Sequence, residues 1–141
     1  MAGRLFSIDH SDIRFIMDIE SIREHCIAKV SVTETFPFGE NTLVFKVLDK
    51  IFLLIGLENP DRFNAKCDPE KSQALRAEYS EVQPGFHMNK VHWNTIFING
   101  RLSNQQIIEL IDHSYELVVK SLPKSKQAQI VFYGMDGKKA G

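Results

Sequence analysis

The spacing of apolar positions divides the chain into helical and extended stretches. Ile19, Ile22, Cys26, Ile27 and Val30 recur at helical intervals behind Asp18, a residue suited to capping a helix N-terminus. Thr42 to Leu48 and Ile51 to Leu57 are β-branched and aromatic runs with only Asp49-Lys50 between them, which predicts a hairpin. Asp-Lys is not a favoured pair for a tight primed turn, so a longer tip is expected. Both runs are apolar on successive residues, the pattern of central strands covered on both faces. Arg62 to Cys67 sets Arg62, Asn64 and Lys66 against Phe63, Ala65 and Cys67, a period of two with one polar and one buried face. Asp68-Pro69-Glu70 predicts a helix start, with an N-cap acid and proline in the first turn, and the helix runs to about Ala77. Trp93 to Ile98 reads as a strand closed by Asn99-Gly100. Ser103 and Gln106 have the spacing of a capping box, and the helix behind them carries Ile107, Ile111, Tyr115, Val118, Val119 and Leu122 along one side until Pro123.

The order of elements is helix, several strands, helix, strand, helix. Short turns at Thr35-Phe36-Pro37-Phe38-Gly39, Asn59-Pro60-Asp61 and Pro84-Gly85 separate them and favour antiparallel pairing. The fold class is therefore α+β, a single antiparallel sheet with helices packed on it. At 141 residues the chain makes one domain. Residues 1–17 read as an N-terminal appendage or extended start, with Met17 directly before the first helix. Residues 18–126 form the domain, and residues 127–141 read as a polar, lysine-bearing, mobile tail.

Composition narrows the function classes. The chain is 43% hydrophobic and 25% charged, which excludes a wholly disordered protein. The longest apolar run, Ile51 to Leu57, falls well short of the roughly 18 residues of a membrane helix, so no membrane partner is expected. No signal-peptide pattern is visible at the start. Cys26 and Cys67 form no CxxC and no disulfide framework, and each falls on an apolar phase. A cytoplasmic protein with reduced, structural thiols is expected. The net charge of −1 is a poor starting point for a nucleic-acid binder, but the charge is uneven. The first part of the chain is acidic, while basic residues gather at Arg62, Lys66, Lys71, Arg76, Lys90 and Arg101 and in the tail.

The densest chemistry lies in Pro84 to Thr95, with His87, His92, Asn89, Asn94, Lys90 and Trp93 within twelve residues. These groups suit hydrogen bonding to phosphate or base edges, and Trp93 suits stacking on a base. The alternative is structural: Trp93 and Met88 in the core, and the Asn and His side chains tying down a turn. His87 and His92, with Cys67 or His113, have no recognised metal-ligand spacing, so no metal and no cofactor are expected. No nucleophile–base pair, carboxylate pair or Gly-rich phosphate loop stands out, and no enzymatic activity is expected.

Four strings occur in order: Phe36-Pro37-Phe38-Gly39; Lys66-Cys67-Asp68-Pro69; Pro84-Gly85-Phe86-His87-Met88-Asn89-Lys90-Val91-His92-Trp93-Asn94-Thr95; and Leu110 to Lys124. Together they resemble the MmcQ/YjbR family of small bacterial proteins, from about Asp18 to about Lys126. The resemblance implies a fold of the frataxin/CyaY type and a DNA-binding role through a double-wing arrangement. On this reading DNA is contacted by Lys66, His87, Asn89, Lys90, His92 and Trp93, with modest electrostatic affinity. The alternative is a protein- or small-ligand-binding module, marked by an aromatic cleft and no salt-dependent DNA affinity. A continuous positive groove around Lys66 and Lys90 would separate the two.

Overall fold

A computed structural model describes residues 16–130 of the chain. Helix α1 (Ile19–Ile27) opens at a capping box in which Asp18 accepts from the Ser21 backbone N–H and the Ser21 hydroxyl accepts from that of Asp18. It ends before Val30, short of the full apolar spacing. Then come β1 (Val32–Thr35), β2 (Thr42–Val47), β3 (Lys50–Gly56) and β4 (Arg62–Lys66). Helix α2 (Pro69–Glu78) follows, capped by Asp68, and then β5 (Val82–Pro84), β6 (Trp93–Phe97) and α3 (Asn104–Ser121). Residues 124–130 are again helical.

The six strands form one sheet in the order β1-β2-β3-β4-β6-β5, every neighbouring pair antiparallel. The β2–β3 tip is tighter than expected. Val47 pairs with Lys50, so the loop is Leu48-Asp49, with φ of 45° and 72°. Two consecutive positive φ values are the signature of a type I′ turn, and the apolar pairing on both sides imposes it despite the residues present.

Register sorts the side chains onto two faces. Leu43, Phe45 and Val47, Leu53 and Ile55, Phe63 and Ala65, and Val82 and Ile96 pack with Ile22 and Cys26 of α1 and with Ile107, Leu110, Ile111 and Val118 of α3. The register slips beside Phe45, where Leu53 pairs, because Phe52 is an extra residue in β3. The bulge lets Phe52 and Leu53 both enter this core. Ser114, fully buried on α3, donates to the Phe52 carbonyl and accepts from the Lys66 N–H at 2.8 Å, tying the helix to two strands. Tyr115 and Val119 are only half-buried, while Leu110 joins the core stripe.

Two expectations change at the ends. Ile130 is buried against the core, so the helical stretch 124–130 belongs to the domain and the polar-tail reading of 127–130 is corrected. The Gln127 amide, donating to the Leu122 carbonyl at 2.8 Å, helps this turn back onto α3. The remaining tail, 131–141, and residues 1–15 of the appendage lie outside the described residues. Met17 packs against the core.

Candidate functional site on the open face of the sheet

The other face carries Thr33 and Thr35, Thr42, Val44 and Lys46, Ile51, Leu54 and Gly56, Arg62, Asn64 and Lys66, and Trp93, Thr95 and Phe97. No helix covers it. Its apolar centre is small: Val44, Leu54 and Trp93, flanked by Ile51 and Met88. The loop from Gly85 to His92 folds over this centre, and hydrogen bonds explain why it holds its shape. Gly85 N–H donates to the Trp93 carbonyl at 2.8 Å, and Trp93 N–H to the Asn89 carbonyl at 3.0 Å. The Asn89 side-chain oxygen accepts from the Val91 and His92 N–H groups, an Asx turn. Lys90 Nζ donates to the Gly85 carbonyl at 2.8 Å. From the helix side, Arg76 donates to the carbonyls of Lys90 and Trp93 and to Asn94 Oδ1, and the Asn94 amide donates to Ser72 Oγ. Gly85 is required: a Cβ there would lie 2.8 Å from Trp93 Cβ and 3.0 Å from its carbonyl oxygen.

A second network fixes the sheet beneath the loop tip. The Thr95 hydroxyl donates to Asn64 Oδ1 at 2.6 Å and accepts from the Phe86 N–H at 2.8 Å. His87 follows with φ of 61°, in the left-handed region that His, Asn and Asp visit more readily than most residues. Its imidazole makes no hydrogen bond among the described residues and lines a cleft.

That cleft has a volume of about 280 Å³, between Phe86, His87 and Met88 of the loop and Thr42, Leu54, Gly56, Asn59, Arg62 and Asn64 of the sheet and its turns. Arg62 is rigidly held: Nε and Nη2 donate to the two oxygens of Asp61 at 2.8 and 3.2 Å, and the guanidinium lies 4.7 Å from the Phe97 ring centroid. Phe97 in turn meets Phe86 edge-on at 6.1 Å. On the far side of the loop a second recess of about 260 Å³ is lined by Lys66, Cys67, Asp68, Pro69, His92 and Leu117. Asp68 of this lining donates its N–H to His113 Nε2 at 3.1 Å, a bond only neutral imidazole accepts. Burial, then the neighbouring Lys71 charge, lowers the His113 pKa and keeps it in that form.

The six residues singled out in the sequence thus occupy one region in different roles. Lys66 and Trp93 pair across β4 and β6, with Lys66 Nζ 5.8 Å from the indole. Trp93 is 8% exposed and packed with Val44 and Leu54. Asn89 and Lys90 are exposed but bonded within the loop, His87 faces the larger cleft, and His92 faces the smaller recess. Sequence reasoning missed Thr42, Gly56 and Asn64, which strand pairing brings to the cleft from outside the loop. The polar phase of Arg62, Asn64 and Lys66 was the one signal that pointed to them. Among the described residues no three His, Cys, Asp or Glu side chains converge as a metal site. Both cysteines are buried and free. Burial pushes the Cys26 thiol up to about 12, and it raises that of Cys67 as well.

Comparison with known proteins agrees with this architecture. The family model YjbR matches residues 27–117. The uncharacterised Escherichia coli protein YjbR is 33% identical over 116 residues, covering 82% of this chain and 98% of that protein. The uncharacterised E. coli O157:H7 protein YbdF is 38% identical over 67% of this chain and 79% of its own. A crystal structure of a Deinococcus radiodurans protein with a DUF419 domain superposes with a TM-score of 0.73 at 34% identity, covering 79% of this chain and 86% of that one. A Pseudomonas syringae protein structure gives 0.60 at 27% identity, covering 72% of this chain and 98% of its own. Among the described residues no helix is long and apolar enough to cross a membrane.

Proposed function

The chain belongs to the YjbR family, and from that premise we propose that it is a non-enzymatic nucleic-acid-binding module whose contact surface is the open face of the sheet with the Gly85–His92 loop. The observation that carries this reading is the sign of the charge on the open-face strand positions. Every charged side chain on the open-face strand positions is basic: Lys46, Arg62 and Lys66. Exposed Lys90 adds a fourth basic group from the loop. Asp61 is the acid that touches this set, paired to Arg62. On the opposite side, α1 and α3 mix the acids Glu20, Glu24, Glu109, Asp112 and Glu116 with the basic Arg23 and Lys120. A net charge of −1 is therefore compatible with a basic surface, because phosphates meet the local field rather than the sum.

The loop supports the same reading through its donors. His87 and His92 stand exposed on its two flanks, and Lys90 is held at its base by Gly85. With two to four phosphate contacts, log affinity falls with log salt with a slope of about −2 to −4 on duplex DNA. The test is titration of labelled duplex and single-stranded DNA at low and physiological salt, with wild type and Lys66→Ala. Loss of about one unit of slope in the variant supports the reading. Absence of binding at low salt removes it and leaves a non-nucleic-acid ligand module.

A further inference from the structure

We infer that the cleft between the loop tip and the sheet is a pocket for one unstacked nucleobase, so that the surface prefers single strands to duplex; this rests on the nucleic-acid reading above. Shape comes first. Thr42 and Gly56 are cross-strand partners on the open face, and Leu54 lies two residues before Gly56. A Cβ on Gly56 would meet nothing within 4 Å, so the floor of the cleft is open there because the residue has no side chain. A volume of about 280 Å³ is below the range of pockets for drug-sized ligands, roughly 300–1,000 Å³, and suits a single planar ring with part of its sugar.

The lining matches that occupant on both of its sides. Phe86, 37% exposed and braced edge-on by Phe97, offers an aromatic surface, and Met88 and Leu54 extend the apolar lining. Thr42, Asn59 and His87 bring polar side chains for a base edge. Arg62 stands at the same cleft with Nε and Nη2 committed to Asp61, and its Nη1 has no hydrogen-bond partner among the described residues. Its guanidinium is fixed by Asp61 and Phe97, so an entering phosphate meets a positioned donor rather than a flexible one. A duplex keeps its bases stacked and paired and so offers no free base face to this pocket, whereas a single strand inserts a base without unpairing it. His87 in the left-handed region is a strained residue beside an otherwise well-bonded loop, and it is the loop residue whose ring turns to the cleft without an intramolecular partner.

The test compares wild type with Gly56→Leu, which fills the floor, and with His87→Asn, which tolerates the same backbone conformation. Probes are fluorescein-labelled 12-mer single-stranded DNA, the same sequence as duplex, and free nucleoside 5′-monophosphates. Thermal unfolding of each variant confirms that it folds. The expected result is tighter binding of single strands than of duplex by wild type. Gly56→Leu then weakens single-strand binding about 5- to 150-fold, the range of one base–aromatic stack, while duplex affinity and salt slope stay unchanged. His87→Asn weakens single-strand binding by a smaller factor. Free monophosphates competing for wild type, but not for Gly56→Leu, would make the pocket a site for the free nucleotide as well as for a strand. Equal binding of single strand and duplex, or single-strand affinity indifferent to Gly56→Leu, overturns the pocket and leaves the basic surface standing. No binding of either nucleic acid at low salt overturns the surface, and the strand pocket with it.

Discussion

One sheet presents two faces that differ in what holds them. On the helix face, large apolar side chains from α1, α3 and five strands interlock with almost no solvent access, and polar groups serve as pins. Ser114 joins β3, β4 and α3, and the Tyr115 hydroxyl donates to the Val30 carbonyl at 2.7 Å. Asp112 accepts from His25 Nε2 at 2.7 Å and from Lys29 Nζ at 2.5 Å, closing α1 onto α3. On the open face the described residues contribute a small buried apolar cluster, Val44, Leu54 and Trp93, and order comes from hydrogen bonds between a loop and the strands beneath it. On the proposed reading the difference separates stability from recognition: substitutions on the first face chiefly destabilise the protein, while those on the second chiefly alter what it touches.

The largest expected effect is on the helix face. Ile111→Ala, at a fully buried position, costs about 2–5 kcal/mol in urea unfolding. A loss below about half a kcal/mol would show that the two faces do not differ as described. Next, Gly85→Ala drives a methyl into Trp93 and costs about 1–3 kcal/mol, measured the same way, with the Gly85–His92 loop displaced. It is the case in which an open-face change behaves like a core change, and an unperturbed variant would mean the loop is not held by that contact.

A smaller effect sharpens the comparison through pH. Burial tends to raise the Asp112 pKa, but the hydrogen bonds from Lys29 and His25 and their charges outweigh it, so the carboxyl sits below its ordinary value of 3.8. A depressed folded pKa contributes stability above the unfolded value, and that stability is lost as pH falls through the folded pKa. Asp112→Asn therefore costs up to about 1 kcal/mol near neutral pH, since the pair is part-exposed and screened. The penalty fades below about pH 4. Unfolding curves at pH 7 and pH 3 check it, and an equal penalty at both contradicts the charge-based pin. Smallest in energy, but clear in readout, is thiol labelling. Cys26, pushed up to about 12 by burial, reacts in native protein only through unfolding. Rapid labelling at neutral pH would show that the helix face opens locally.

The same contrast explains how much was legible in the sequence. Local signals carried most of the fold. Ser103 and Gln106 start α3, Asp68-Pro69 starts α2, and the alternation from Arg62 to Lys66 is the observed β4. What local signals lack was invisible. β1 and β5 are short edge strands of four and three residues, too brief for a periodic pattern, and pairing alone defines them. The Phe52 bulge and the Leu48-Asp49 turn are outcomes of packing on both faces of the hairpin. At the site, the Pro84 to Thr95 loop was conspicuous because its polar groups are adjacent in sequence. The cleft was not, because Thr42, Gly56 and Arg62 meet only after three strands have paired. Nor does a residue's type reveal its engagement. Trp93 reads as a stacking platform or as core, and its packing with Val44 and Leu54 makes it core. Lys90 is braced to the Gly85 carbonyl, so its removal also loosens the loop, and Lys66 is the cleaner electrostatic probe.

The most direct test of the account is therefore the salt dependence of DNA binding by wild type and Lys66→Ala, followed by anisotropy between about 20 and 200 mM salt. A basic open face predicts a wild-type slope of about −2 to −4, reduced in magnitude by about one in the variant, with thermal stability unchanged. A slope near zero, or a Lys66→Ala variant indistinguishable from wild type, would contradict the claim that this face meets phosphate.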